Sequence, residues 1–216
     1  MYEEYIKNKA YYESSRPEMI KFIPPMCARI LDVGCGSGEF GAYLKRERAV
    51  EVDGVELCTQ VAIKAQSKLD KIFIGSIEET LLSLPKEHYD CVIFNDVLEH
   101  LMDPWDVLFK IKRNIKKGAY VVASIPNFRY YYNMYDIVIK KQFNYADEGV
   151  LDKTHIRFFT KQSIINMLES SGYSVEAING IHSCNMHLIS RIINRLCNRC
   201  FEDMRYQRFS CRAINI

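Results

Sequence analysis

No stretch of this sequence stays apolar long enough to span a membrane. The longest runs, such as CVIF at 91–94 and AYVVA at 119–123, fall far short of the ~18 residues a bilayer crossing requires. An excess of one charge is also missing: 29 Lys and Arg stand against 27 Asp and Glu, a formal net charge of +2. That is too small to favour nucleic acid or an anionic membrane as partner through bulk charge. Cysteine is sparse, eight in 216 residues, which excludes a disulfide scaffold and makes free thiols the expectation. Repeats and low-complexity tracts are absent, and the six prolines and ten glycines mark no linker. The opening MYEEYIKNKAYYE has no apolar stretch behind a basic start, so a cytoplasmic location is expected. With 48% apolar and 26% charged residues, disorder, collagen and coiled coil are excluded, and one domain over 1–216 is expected.

What is present alternates. ARILDVG (28–34), VEVDGVE (50–56), KIFIGS (71–76), DCVIFND (90–96) and AYVVASI (119–125) predict five strands, all buried on both faces. Between them EFGAYLKRE (39–47), LCTQVAIKAQSKL (57–69), SIEETLLSL (76–84) and WDVLFKIKRNI (105–115) have helical apolar spacing. Such alternation predicts an α/β fold with a parallel, doubly wound, Rossmann-like sheet. The rhythm breaks at 127–160, where five tyrosines, three of them consecutive at 130–132, suggest an inserted substrate cap. Helix KQSIINMLESSG (161–172) then resumes the pattern. YSVEAINGI (173–181) and RYQRFSCRAI (205–214), flanking a helix at about 184–202, predict two last strands that finish a seven-stranded, three-layer sheet as an antiparallel pair.

The chemistry centres on ILDVGCGSGEF, where a strand ending in Asp32 runs through Gly34, Gly36 and Gly38 into a helix. Glycines let another molecule approach the backbone, and a helix start offers unpaired N–H groups. A dinucleotide fingerprint would place its third glycine at residue 39, which is Glu39. Asp32 would repel a pyrophosphate and attract an ammonium group, so a cationic ligand fits better. Glu56 closes the second strand, where a carboxylate can accept ribose hydroxyl hydrogens. Ser76, Ile77, Asn95, Asp96 and Val97 follow strands three and four, and such carboxyl-end loops line the ligand crevice of an open parallel sheet.

This set, with D-V-L-E-H-L at 96–101 and Asp103–Pro104, resembles the class I S-adenosylmethionine-dependent methyltransferases. YYESSRPEMI (11–20), SIPNFRYY (124–131) and LDKTHIRFFT (151–160) are similar to a methyltransferase domain 11/23-like subgroup, so the resemblance covers roughly residues 11–180. It implies S-adenosyl-L-methionine as cofactor and S-adenosyl-L-homocysteine as product. It also implies that Gly34 and Gly36 pass under the methionine moiety, that Glu56 holds the ribose, and that Ser76 and Ile77 border the adenine, with Cys35 and Leu57 as further cofactor contacts. Asn95, Asp96 and Val97 would lie on the sulfonium side; His100 either joins the cofactor cleft or is a helix histidine packed behind the fourth strand. Tyr12 and Arg16 would clamp the methionine carboxylate, a task suited to the planar guanidinium. Relatives often carry Asp where GSIEE has Ser76, and FNDV replaces the N-P-P-Y type segment of enzymes that methylate exocyclic base nitrogens. Nucleobase methylation is therefore disfavoured.

For the reaction, His155 is the candidate base for removing a proton from a hydroxyl near neutral pH; the alternative is that it only hydrogen-bonds the cap onto the sheet. Asn127 either orients a substrate oxygen or caps its turn. The tyrosines at 130–132 and 135 are read as lid packing. Arg191, Arg195 and Arg199 recur every four residues on the last helix and are read as its solvated face, opposite a stripe of Leu188, Ile189, Ile192, Ile193 and Leu196; the same arginines hint at a phosphorylated acceptor. Cys197 and Cys200 form a C-x-x-C without a second close pair, so zinc is disfavoured and core filling by these cysteines is expected. No metal is expected. The expected function is methyl transfer to a hydroxyl of a small molecule such as a sugar, glycan precursor or cyclic metabolite, with no nucleic-acid partner. A non-catalytic cofactor-binding module and a nicotinamide oxidoreductase are the competing classes.

Overall fold

The computed structural model describes residues 15–216; Tyr12 lies outside them. Seven strands, β1 (Arg29–Val33), β2 (Glu51–Glu56), β3 (Lys71–Ile74), β4 (Tyr89–Asn95), β5 (Ile115–Pro126), β6 (Tyr173–Ser183) and β7 (Tyr206–Asn215), form one sheet in the order β3-β2-β1-β4-β5-β7-β6. The first five are parallel, and β7 runs antiparallel to both β5 and β6. This is the Rossmann-like α/β architecture predicted from the strand and helix rhythm. Strand order reverses between β1 and β4, which opens a crevice at their carboxyl ends.

Alternation along the strands explains the layers. Leu31, Val33, Val92 and Phe94 point into one apolar cluster. Ile30, Cys91 and Ile93 point into the other, with Phe40 and Leu44 of α1 (Glu39–Glu47) and Ala65 of α2 (Thr59–Ala65). Side chains alternate across a strand, so a strand covered on both faces needs an apolar run rather than an alternating one. β3 departs from the expectation of full burial: it is the sheet edge, only Phe73 is buried, and Ile74 is 43% exposed.

Two predicted helices are shorter than their spacing suggests. α3 covers only Ile77–Thr80, and α4 (Pro104–Lys110) gives way to a 3₁₀ turn before β5 begins at Ile115. Asn114, fully buried, donates from Nδ2 to the carbonyls of Leu81, Leu84 and Pro85. It thereby takes carbonyls that further turns after α3 would use. Between β5 and α6 (Lys161–Ser170) lies α5 (Tyr131–Val138), and between β6 and β7 lies α7 (Leu188–Leu196).

The last helix corrects the sequence reading. Leu188, Ile189 and Leu196 are 68%, 72% and 80% exposed, while Asn194 on the opposite side is buried. The apolar stripe faces out, and Asn194 is turned towards the protein; Arg191, Arg195 and Arg199 are exposed, as the solvated-face reading expects. Cys197 and Cys200 are exposed rather than core filler, because they fall in the turns after α7 and not under it. No helix among the described residues is long and apolar enough to cross a membrane.

Candidate active site

Asp32 lies one residue before the carboxyl end of β1, at the reversal of strand order. It sits between Gly54 of β2 and Ile93 of β4 and is 2% exposed. Its Oδ2 has no hydrogen-bond partner among the described residues. Burial, followed by the nearby Glu56 charge, pushes its pKa up to about 7, against the opposing pull of Arg16. A buried acceptor without a donor costs roughly 1–3 kcal/mol, so a cationic donor from a ligand is the complement this position lacks.

The glycine turn is tied to β2. The N–H groups of Gly34 and Cys35 both donate to the Val55 carbonyl, at 2.8 and 3.0 Å. Gly34 has φ +70°, and a Cβ there would stand 2.6 Å from Val97 Cγ2, so both backbone angle and space require glycine. The same near-contact shows that the loop after β1 meets the loop after β4. Gly36 N–H donates to Glu56 Oε2 at 2.9 Å, and Cys58 N–H donates to Oε1 at 2.9 Å. Burial raises the Glu56 pKa, opposed by the backbone N–H groups of Cys58, Gly36 and Leu57. A carboxylate has about four lone-pair directions, so acceptor capacity remains for a ligand hydroxyl.

Other residues singled out in this part of the sequence fall into distinct settings. Cys35 is buried, and burial with the Asp32 and Glu56 charges pushes its thiol far above the usual range, which leaves no thiolate nucleophile. Leu57 is exposed beside Glu56, whereas Ile77 is packed in the core. The Ser76 hydroxyl accepts from Glu79 N–H at 3.2 Å and caps α3. Asn95 Oδ1 is buried without a partner among the described residues.

Beyond β4, Asp96 takes a left-handed backbone angle, φ 56°, and its carboxylate gathers partners from distant parts of the chain. Arg16 Nη1 donates to it, Ser124 Oγ donates at 3.0 Å, and Arg208 Nε lies 3.3 Å away. Burial pushes Asp96 up, but Arg208 and Arg16 outweigh this and hold its pKa below the ordinary value. The remaining donors of Arg16 reach Glu18 and Ser124, each at 2.8 Å. In this geometry the guanidinium braces Asp96.

The segment 152–159 brings His155 to the same end of the sheet. The N–H groups of Ile156 and Arg157 both donate to the Glu99 carbonyl, each at 3.0 Å, and Phe128 N–H donates to Phe159 O at 2.8 Å. Asp152 Oδ1 accepts from the backbone N–H and hydroxyl of Thr154 at 2.8 and 2.7 Å, fixing the turn before His155. His155 is 7% exposed. Its Nδ1 lies 3.0 Å from the Val150 carbonyl; a carbonyl only accepts, so Nδ1 carries a hydrogen, and in the neutral ring Nε2 carries the lone pair. Nε2 is 3.9 Å from Glu99 Oε1, and the His100 ring packs edge-on at 4.7 Å.

One ligand atom each of Glu99, His100 and His155 lies within 4.8 Å of the others. A carboxylate with two imidazoles is chemically able to hold a divalent cation, or to share a proton. Sequence reasoning missed Glu99, whose signal was an acid inside the otherwise apolar DVLEHL. It also missed Ser124, the lone hydroxyl in VVASIP, and Arg208, for which no local signal exists.

Asn127 is fully buried. Its Nδ2 donates to the carbonyls of Asp203 and Tyr206, both at 2.9 Å, and Oδ1 accepts from Arg129 N–H at 3.1 Å. Those bonds are of the turn-capping kind. Next to it, Phe128 contacts Phe158 and Phe143 with ring centroids at 5.3 and 6.3 Å. Phe143 and Phe158 are 44% and 36% exposed, so this aromatic group is open in a way that the buried Tyr131 is not.

Comparison with known proteins agrees with this geometry. Residues 5–178 match the family described as Methyltransferase domain. The chain is 28% identical over 161 residues to the ubiquinone biosynthesis O-methyltransferase of Vibrio atlanticus (strain LGP32), covering 71% of this chain and 66% of that protein. It is also 28% identical over 162 residues to the same-named protein of Vibrio cholerae serotype O1 (strain M66-2), covering 71% and 64%. The match thus spans just under two thirds of the length of these relatives. A solved SAM dependent methyltransferase from Archaeoglobus fulgidus shares the fold with TM-score 0.68 at 23% identity, covering 92% of this chain and 90% of that one. An S-adenosylmethionine dependent methyltransferase from Mesorhizobium loti does so with TM-score 0.64 at 17% identity, covering 94% and 98%.

Proposed function

The chain belongs to the class I S-adenosylmethionine-dependent methyltransferases, and from that premise we propose that it methylates a hydroxyl of a small molecule in the cytoplasm, a sugar, glycan precursor or cyclic metabolite. The observation that carries the choice of a hydroxyl is His155: its Nδ1 is committed to Val150, and its Nε2 faces Glu99. The O-methyltransferase name of the Vibrio relatives supports the same acceptor atom.

The residues fit the cofactor on two counts, the buried Asp32 oxygen that has no partner among the described residues and the cradle at Gly34 that a Cβ would fill. Asp32 would take the amine, the backbone of Gly34, Cys35 and Gly36 would run beneath the methionine part, and Glu56 would accept from the ribose. Leu57 would stand next to Glu56, and Ser76 with the backbone of Ile77 would border the adenine side; Asn95, Asp96 and Val97 would border the sulfonium side, with His100 near them. When bound, S-adenosylmethionine supplies a methyl group on a positively charged sulfur, an electrophile for an oxygen nucleophile.

The chain's own part is alignment and proton removal. His155 Nε2 takes the acceptor's hydroxyl proton, and the Glu99 carboxylate stabilises the imidazolium that results. Phe128, Phe143 and Phe158 offer aromatic surface to a cyclic acceptor. Asn127 holds the exit of β5 that carries Phe128. Alignment of two reactants alone can supply several kcal/mol of the barrier.

The test is a panel of hydroxylated, amino and carbon acceptors incubated with the protein and cofactor labelled on the methyl group. Label on the oxygen of a hydroxyl acceptor is expected. Label confined to nitrogen or carbon acceptors overturns the reading. Absence of transfer throughout, with adenosylhomocysteine still bound, favours a non-catalytic module.

A further inference from the structure

Helix α7, LISRIINRL, is amphipathic with its apolar side turned outward. At about 100° per residue, Leu188, Ile189, Ile192, Ile193 and Leu196 occupy an arc roughly 140° wide, the kind of stripe that a surface helix normally buries. Here the opposite side faces the protein, and its bonds fix the orientation. Asn194 Nδ2 donates to Glu202 Oε2 at 3.0 Å, and Asn194 Oδ1 accepts from Phe201 N–H at 2.9 Å. Ser190 Oγ lies 2.9 Å from the Tyr131 hydroxyl, and the His187 ring packs against Tyr131 and Tyr135 of α5. The exposed stripe is thus held outward by a defined inner face.

Beside the stripe the charge is one-sided. Arg191, Arg195, Arg199 and Arg205 line a cavity of about 360 Å³ together with a single acid, Glu202. That acid is already paired with Arg205 at 2.7 Å. An exposed aliphatic stripe bordered by arginines has the composition of a helix that lies in a membrane interface, apolar face among the upper acyl chains and cations at the phosphates. The whole chain is nearly neutral, so the attraction is local to this edge.

We infer that α7 docks the protein on an anionic phospholipid surface, with Leu188, Ile189, Ile192, Ile193 and Leu196 inserted and Arg191, Arg195 and Arg199 on lipid phosphate groups. A second copy of the chain fits less well. The stripe has no Trp, Tyr or Arg within it, the residues that dominate protein interfaces. A two-fold contact would also place two arginine rims in one interface.

Co-sedimentation with vesicles tests this, using the full chain, vesicles of phosphatidylcholine alone and vesicles of phosphatidylcholine mixed with phosphatidylglycerol. The wild type should sediment with the mixed vesicles, less at high salt, and not with phosphatidylcholine alone. Ile189→Asp with Ile192→Asp, and separately Arg191→Glu with Arg195→Glu, should each weaken binding about tenfold or more. These positions are exposed, and unchanged adenosylhomocysteine binding in the same preparations separates lost docking from misfolding and from the methyl-transfer reading. Wild-type protein left in the supernatant overturns the inference, as do equal binding to both vesicle types and variants that sediment like the wild type. A vesicle-free dimer that Ile189→Asp with Ile192→Asp dissolves also overturns it, by assigning the stripe to a second copy.

Discussion

Glu56 Oε2 accepts the N–H of Gly36 at 2.9 Å, so the carboxylate that ends β2 holds the turn that follows β1. With the Cys58 N–H on its other oxygen, Glu56 shapes the glycine loop from within while keeping acceptor capacity outward. Glu56→Gln places an NH₂ group against one of these backbone donors. It should lower stability by about 1–2 kcal/mol and weaken adenosylhomocysteine binding by about tenfold or more, read by urea unfolding and calorimetry.

Asp32 makes both stability and ligand binding pH-dependent. Its folded pKa of about 7 lies above the unfolded value of ~3.9, so the folded state holds an extra proton between them. The contribution of Asp32 to stability is therefore greatest below ~4 and is lost as pH rises through 7, and Asp32→Asn should remove that loss. A cationic ligand favours the ionised carboxyl, so adenosylhomocysteine should bind more tightly at pH 8 than at pH 6, with proton release. Calorimetry in buffers of different ionisation heat checks this; a pH-independent affinity would sink the ammonium assignment.

Asp96 titrates with the opposite sign. Held low by Arg208 and Arg16, it contributes stability above its unfolded pKa of ~3.9 that is lost as pH falls through the lower folded value. Asp96→Asn removes a charge partner of both Arg16 and Arg208 and should cost about 3 kcal/mol. Chemical denaturation at neutral pH measures it.

Gly34→Ala combines a positive φ with a contact that Val97 cannot tolerate. The expected loss is about 1–3 kcal/mol, seen as a lower Tm, together with loss of adenosylhomocysteine binding. Adding Val97→Ala should recover part of the Tm, since it relieves the contact but not the backbone angle.

His155→Ala should reduce kcat by about 10²–10⁴ on whichever hydroxyl acceptor the labelling panel identifies, while adenosylhomocysteine affinity stays unchanged. Glu99→Gln should show a smaller kcat loss with the same cofactor affinity. Unaltered kcat in His155→Ala would remove the base and leave alignment as the protein's contribution.

The sequence by itself determined the sheet and the glycine turn after β1. Doubly buried strands are apolar runs, helices between them carry a 3.6-residue period, and Asp32, Gly34, Gly36 and Glu56 act within one β-turn-α unit and its neighbour. Each of those signals is local in the chain. Only the tertiary structure decided that Asp96 would be shared by Arg16, Ser124 and Arg208, since their meeting depends on the order of β4, β5 and β7. It alone set His155 over Glu99, because that pairing requires the segment after β5 to fold back over the loop after β4. It also reversed α7: periodicity gives the apolar arc of a helix but not its direction, and here bonds made by Asn194 and Ser190 turn that arc to the outside.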